Sequence, residues 1–464
     1  MIYRNNFFLS LLFFTSIIWG QVSTIHSTQD ADPLLKTIQN RVKWGYHHGA
    51  AVSITLEMDI DYLSAGWLDQ AKTMEINKHS IFEIASLTKI FTAYLAACLR
   101  EEGLIDLDVP LTNYFKDVHI PSFGDKFITL RHLLTHTSGL QDPQEEYLNK
   151  ISLNRNPEAD YDIPTLYNFL ENTSLVSEPG TKFNYSNIGY GLVGHILEKY
   201  MQQNLENLFK KYIFDPVGMQ DTTFSPSKEQ IRRCATGYCD NEPVPMWKIN
   251  SLYGFSGLYS TSSDLSLFLK IFLERDEKKQ KTKIALSLLE PYFENEDQTP
   301  TLGWFFDKAH KKPIFFAFGG SLGFSAFIGL NLEENKAISI LTNHKSLDNI
   351  GLNWLCPEYS SQNILQPIEL ELDYLQTLCG TYKTSDDLSV EINSDLNYLI
   401  WDDKQAPPLK LYPCSKNHFF PKFLNMHTIV EFQDCQLSGK SSINVLENGK
   451  LVLTLYKTST QDTE

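Results

Sequence analysis

Ser86 and Lys89 stand three residues apart in the string FEIASLTKIFTAY (82–94), where an apolar, strand-like lead runs into a helical pattern. Positions i and i+3 share a helix face, so the lysine amine projects over the serine hydroxyl. A serine hydroxyl is a weak nucleophile at neutral pH and needs an adjacent base. Lysine can be that base where burial and neighbouring cations lower its pKa. The helix start adds a positive dipole and free amides suited to a developing oxyanion. The spacing points to acyl transfer through Ser86. The same string also suits a helix cap followed by a surface lysine, so other groups must join it.

A second string, EPGTKFNYSNIGYGLVGHILEKY (178–200), supplies candidates. Pro179-Gly180 breaks the chain, Tyr185-Ser186-Asn187 lies on a loop, and Gly189 leads into an apolar helix. A phenol can shuttle a proton when cations lower its pKa, and an Asn amide can hold a substrate carbonyl or the lysine. A turn with a capping Asn is the plainer reading. The string HTSG, from His136 to Gly139, is expected to shape a turn near the site.

The elements that must position these groups are legible in outline. Residues 34–42 read as a short amphipathic helix, and 50–69 alternate as two adjacent strands. A long helix is expected from Ser86 to Glu102, stopped by Gly103. From residue 254 the pattern returns to strands in GLYSTSSDLSLFL, TLGWFFD, IFFAFGGSLGFSAFIGLNL and KAISILTN. Strands at both ends of a segment, with helices between, predict one sheet built from the two ends and covered by helices. After a stretch at 347–372 without clear periodicity, short strands separated by Asp, Asn, Gly and Pro predict a small β-barrel or sandwich.

With these strings in place, the chain resembles the serine β-lactamases and penicillin-binding proteins, whose signature includes Ser-x-x-Lys. It is most similar to the class C β-lactamase and D,D-peptidase branch, where Tyr-x-Asn is the second motif. GLIDLDVPLTNYF (103–115), ITLRHLLTHTSGL (128–140), FDPVGMQDTTF (214–224), GFSGLYSTSSDLSLFL (254–269) and TLGWFF (301–306) match family stretches in order over roughly residues 33–345. The resemblance implies an α+β, β-lactamase-like fold: an antiparallel sheet flanked by helices, plus an all-helical subregion. The string YLQTLCGTYKTSDDLSVEI (374–392) resembles the opening of the lipocalin-like β-domain appended to such hydrolases. The implied organisation is a signal peptide at 1–20, a hydrolase domain at 33–346, a linker at 347–372 and a smaller C-terminal β-barrel-like domain at 373–464.

Carried over residue by residue, the resemblance implies an acyl-enzyme on Ser86, with Lys89 on its hydroxyl. Tyr185 would activate the nucleophile or protonate the leaving group, and Asn187 would contact the substrate amide. The third motif departs from the family. The usual Lys-Thr-Gly or His-x-Gly triplet, counted back from Gly323-Phe324, falls on Ala317-Phe318-Gly319. Gly319 keeps the close approach of substrate to the strand, and the Gly320 amide with that of Ser86 would form the oxyanion hole. The cation and hydroxyl that would meet a substrate carboxylate are missing. That argues for a peptidase or esterase, acting on an ester, amide or D-amino-acid peptide bond, over a β-lactamase. The alternative is a catalytically impaired binding or scaffolding module for cell-wall fragments or a partner protein.

Bulk composition narrows the classes. The chain has 464 residues, 42% hydrophobic, with a net charge of -16, which disfavours nucleic acid or an anionic membrane surface as partner. No phosphate-binding glycine loop and no Cys-x-x-Cys pair is present, so neither cofactor nor metal is expected. A small-molecule or peptide substrate is. The apolar run from Phe7 to Trp19 behind Arg4 is too short to span a bilayer and reads as a signal peptide. The protein is therefore expected to be periplasmic or secreted, with no stable membrane insertion after cleavage; the sequence does not set its oligomeric state. Cys98 reads as a buried free thiol. Cys234 with Cys239, and Cys379 with Cys414, are candidate disulfides for an oxidising compartment.

Overall fold

The computed structural model describes residues 31–458, apart from 143–161, 293–298, 308–312, 345–349, 358–364, 405–407, 422–427, 435–440 and a few single or paired positions. The expected signal peptide lies outside the described residues.

The chain opens with helix α1 (Ala31–Lys43) and the hairpin β1 (Gly49–Leu56) and β2 (Asp59–Gly66). Helices follow, chief among them α2 (Thr88–Glu101), α3 (Asn187–Met201) and α4 (Ser262–Leu273). The chain then returns to the sheet as β3 (Phe305–Asp307), β4 (Ile314–Gly320), β5 (Ser325–Asn331) and β6 (Lys336–Thr342). The spatial order is β2-β1-β6-β5-β4-β3, antiparallel throughout, so the two ends of the domain do meet in one sheet.

Both faces of the inner strands β1, β5 and β6 are covered, which is why these strands read as almost continuous apolar runs. One face and α2 share the main core, in which Ala51, Ala317, Ile328 and Leu341 meet Ile90, Phe91 and Phe268. The other packs Val52 and Ile340 against Leu34 and Ile38 of α1, and against Leu355 of α5 (Ile350–Leu355). Each such side chain taken from water contributes about 1.5–3 kcal/mol.

One segment departs from expectation. STSSDLSLFL forms helix α4 rather than a strand. Thr261 caps it by accepting a hydrogen bond from the Asp264 amide at 3.0 Å, and that local cap outweighs the β-forming side chains. Buried Asp264 in turn accepts bonds from the Gln220, Asp221 and Thr222 amides.

The C-terminal region is a closed antiparallel barrel of eight strands, from Gly380–Lys383 to Lys450–Lys457. Tyr382, Val390, Phe419, Phe432 and Leu455 fill its interior, so it is a packed core. An aromatic joint ties it to the first domain: Trp44 and Tyr46 meet Tyr412, with ring centroids 6.3 and 5.1 Å apart. None of the six described cysteines is in a disulfide, contrary to the expected pairings. Three of the four candidate thiols turn back on their own chain: Cys234, Cys379 and Cys414 lie against the carbonyls of Gln230, Leu375 and His418. Cys98 is buried as expected, and burial pushes its thiol up to about 12.

Candidate active site

The chain reaches Ser86 through a strained turn. Ala85 takes φ 44, the left-handed region that an alanine rarely adopts, and Ala85–Leu87 make one 3-10 turn before α2 begins at Thr88. The Thr88 hydroxyl closes this turn on the Ala85 carbonyl at 2.7 Å. Ser86 thus sits at the mouth of α2, not inside it, with its side chain half-exposed.

One turn on, Lys89 is 3% exposed, enclosed by the core that buries nearly all of α2. Its Nζ donates to Ser86 Oγ at 2.9 Å and to the Phe255 carbonyl at 3.0 Å. From 99 residues away, the Tyr185 hydroxyl donates to the same Ser86 Oγ at 3.2 Å. Lys89 Nζ also lies 5.0 Å from the centre of the Tyr185 ring, where the π-face attracts the cation. The structure therefore brings Ser86, Lys89 and Tyr185 together on one hydroxyl.

Asn187 is the first residue of α3, which Ser186 caps by accepting from the Gly189 amide at 3.0 Å. Its Oδ1 is buried without a hydrogen-bond partner among the described residues, so the amide has unused bonding capacity. Two residues hold this segment. His136 accepts the Ser186 amide on Nδ1 at 3.0 Å, takes the Asn184 amide on its carbonyl at 2.7 Å, and stacks its ring 4.4 Å from that of Tyr185. Burial, then the Lys89 charge, holds this imidazole well below the usual histidine range, so it stays neutral and its bonded Nδ1 is an acceptor. The expectation that HTSG shapes a turn is met, with a closer role under Tyr185.

Asp142 was missed by sequence reasoning. It accepts the amides of Asn187 and Ile188 at the start of α3, where the helix dipole favours an anion. Burial nevertheless raises its pKa, against those bonds and the Lys89 charge. Nothing in the sequence ties it to residues 45 positions away. Glu83 was also passed over, although a carboxylate in the apolar lead FEIAS is itself a signal. It is 5% exposed beside Trp247, whose amide it accepts, and burial pushes it up to about 7.

The end of β4 closes the site. A Cβ on Gly319 would stand 2.2 Å from the Ile84 carbonyl oxygen and 3.0 Å from the Ser86 amide, so only glycine lets the strand lie against the nucleophile turn. Gly320 is the open position beyond it, with nothing nearer to such a Cβ than the Phe324 carbonyl at 4.0 Å. Ala317 points into the core at 4% exposure, and Phe318 is exposed at 42%. Among the described residues, no group of three or more His, Cys, Asp or Glu is placed to hold a metal.

Comparison with known proteins places the chain in a family. The beta-lactamase family profile matches residues 34–354. Penicillin-binding protein 4* of Bacillus subtilis is 25% identical over 82% of this chain and 88% of its own. The D-alanyl-D-alanine-carboxypeptidase/endopeptidase AmpH of Escherichia coli is 24% identical over 77% of this chain and 98% of its own. Among solved structures, an octameric penicillin-binding protein homologue from Pyrococcus abyssi covers 92% of this chain and 100% of its own, with TM-score 0.65 and 21% identity. That overlay shows shared fold over both domains. With its profile match spanning most of its length, the chain belongs to the beta-lactamase family.

Proposed function

We propose that the protein is a serine hydrolase that forms an acyl-enzyme on Ser86. The observation that carries this is the convergence of the Lys89 amine and the Tyr185 phenol on Ser86 Oγ at 2.9 and 3.2 Å. In the first half-reaction Oγ attacks the substrate carbonyl carbon, and its proton passes to the Lys89–Tyr185 pair. The oxyanion is held by the Ser86 and Gly320 amides. Collapse breaks the bond to the leaving group, which takes the proton back from the pair through Tyr185. Water then repeats the sequence on the acyl-enzyme and releases the acid. Asn187 holds the substrate amide or carbonyl.

The substrate class is an ester, amide or D-amino-acid peptide bond. Because Ala317 is sealed in the core and carries no charge, a substrate anion would go unpaired there, which favours peptidase or esterase action over β-lactam hydrolysis. The same observation supports the second reading, a catalytically impaired module binding cell-wall fragments or a partner. Export by the N-terminal segment, with a periplasmic or secreted destination, is part of this proposal; no described helix is long and apolar enough to cross a membrane. The test is turnover of p-nitrophenyl esters, D-amino amides and a chromogenic β-lactam by wild type and Ser86→Ala. Hydrolysis of an ester or amide that vanishes in Ser86→Ala is the expected result. Equal rates in both, or none in wild type, overturn it.

A further inference from the structure

The sheet edge places a run of aromatic rings beside Tyr185, the phenol that donates to the reacting hydroxyl. Phe305 of β3 pairs with Phe316 of β4, and Phe318 follows two residues on, so the three rings share one face. Phe305 and Phe318 stack nearly parallel, with centroids 5.3 Å apart and planes 6° off. On its other side Phe305 lies 6.5 Å from the Tyr185 ring at 17°, and Phe183 stands 6.4 Å away. Phe183, Tyr185 and Phe305 are half-buried and Phe318 is exposed, while Phe316 is half-buried against the core on the α1 side of the sheet. A partly exposed aromatic run that continues from a site phenol is unusual on a protein surface, where large apolar patches mark binding sites.

We propose that Phe305 and Phe318 form the leaving-group subsite, and that it takes an uncharged aromatic or apolar leaving group. This rests on the hydrolase reading above. Tyr185 returns the proton to the departing atom, so the leaving group must lie on the Tyr185 side of Ser86, and the rings on that side are Phe305 and then Phe318. Among the described residues, no cation lies over the Phe305 or Phe318 ring. Ala317 is turned into the core, and the recorded hydrogen bonds of Lys89 go to Ser86 and to the Phe255 carbonyl. A neutral aryl group can stack on Phe318 in the same parallel geometry that Phe305 adopts. A carboxylate there loses water without gaining a partner.

The reaction is then R–CO–O–Ar with Ser86 giving the acyl-serine and ArOH, followed by water giving R–COOH. The test compares 4-carboxyphenyl acetate with its neutral methyl ester, methyl 4-acetoxybenzoate, on the full chain. The acyl group is shared, and each rate is divided by the hydroxide-catalysed rate of the same ester, which removes the higher intrinsic reactivity of the neutral one. Wild type should favour the neutral ester by about tenfold or more in kcat/KM, the scale of one aromatic contact. Phe318→Ala should erase most of that preference by raising KM for the neutral ester. Phe318→Leu should retain part of it, and Phe318→Lys should turn it toward the carboxylate. Melting curves confirm that each variant is folded. A fluorophosphonate probe on Ser86 separates the two levels of inference. If wild type labels at Ser86 yet hydrolyses both esters equally, or Phe318→Ala lowers both alike, the subsite is wrong and the hydrolase reading stands. If wild type does not label, both fall.

Discussion

Replacing Gly319 by alanine tests how the strand and the nucleophile depend on each other. The added methyl would sit 2.2 Å from the Ile84 carbonyl oxygen and 3.0 Å from the Ser86 amide, both backbone atoms within or beside the strained turn at Ala85. Ordinary carbon contacts need about 3.5 Å, so the strand end must retreat by about 1 Å. Crowding of this kind costs about 1–3 kcal/mol of stability. The effect on rate should be larger. The retreat carries the Gly320 amide away from the developing oxyanion, and a 1 Å misplacement or a lost oxyanion donor is worth about a hundredfold. Steady-state hydrolysis of an aryl ester, with a thermal melt on the same sample, measures both. Gly320→Ala is the control: its Cβ meets nothing within 4.0 Å and should lose far less activity. A folded Gly319→Ala enzyme with kcat within a few-fold of wild type would refute the placement of β4 as the wall of the oxyanion hole.

Other outcomes follow from the same geometry. Lys89→Met removes the amine from Ser86 Oγ, and kcat should fall by about 10²–10⁴-fold in the same ester assay. Asp142→Ala takes the acceptor from the first amides of α3 and should cost about 1 kcal/mol in denaturant unfolding; kcat should fall too, because Asn187 begins that helix. Glu83 gives a pH signature. Its carboxyl holds its proton up to about 7 in the folded chain against 4.5 for the free group. The folded state therefore binds the extra proton between those values, and the stability this group contributes is greatest at low pH and is lost as pH rises toward 7. Glu83→Gln should remove that loss and gain roughly 3 kcal/mol over wild type at pH 8, with little gain at pH 4. Unfolding midpoints of the pair at both pH values decide it, and an equal difference at each would show that Glu83 does not titrate in this way.

What the sequence discloses depends on the range of the interaction. Ser86 and Lys89 are legible because a helix fixes their relation over three residues. Tyr185 and Asn187 lie about a hundred residues further on, and only resemblance to a family links them to Ser86; the loop itself reads as an ordinary turn. Gly319 was found the same way, but its reason, a carbonyl 2.2 Å from where a Cβ would stand, is a fact of packing. The aromatic run of Phe305, Phe316 and Phe318 was invisible because it is made by the register of two strands. Asp142 was hidden for a similar reason: its partners lie across the fold. The misreadings are instructive too. Helix α4 was taken for a strand because its residue types outweighed the Thr261 cap, and the cysteines were paired by compartment although none of the described thiols is bonded to another.

The central claim is that one hydroxyl, Ser86 Oγ, is the atom that becomes acylated. The direct measurement is peptide mass mapping after reaction with a fluorophosphonate. A single adduct on the peptide carrying Ser86, lost in Ser86→Ala and strongly slowed in Lys89→Met, is the expected result. An adduct on another residue, or labelling that survives in Ser86→Ala, would contradict it.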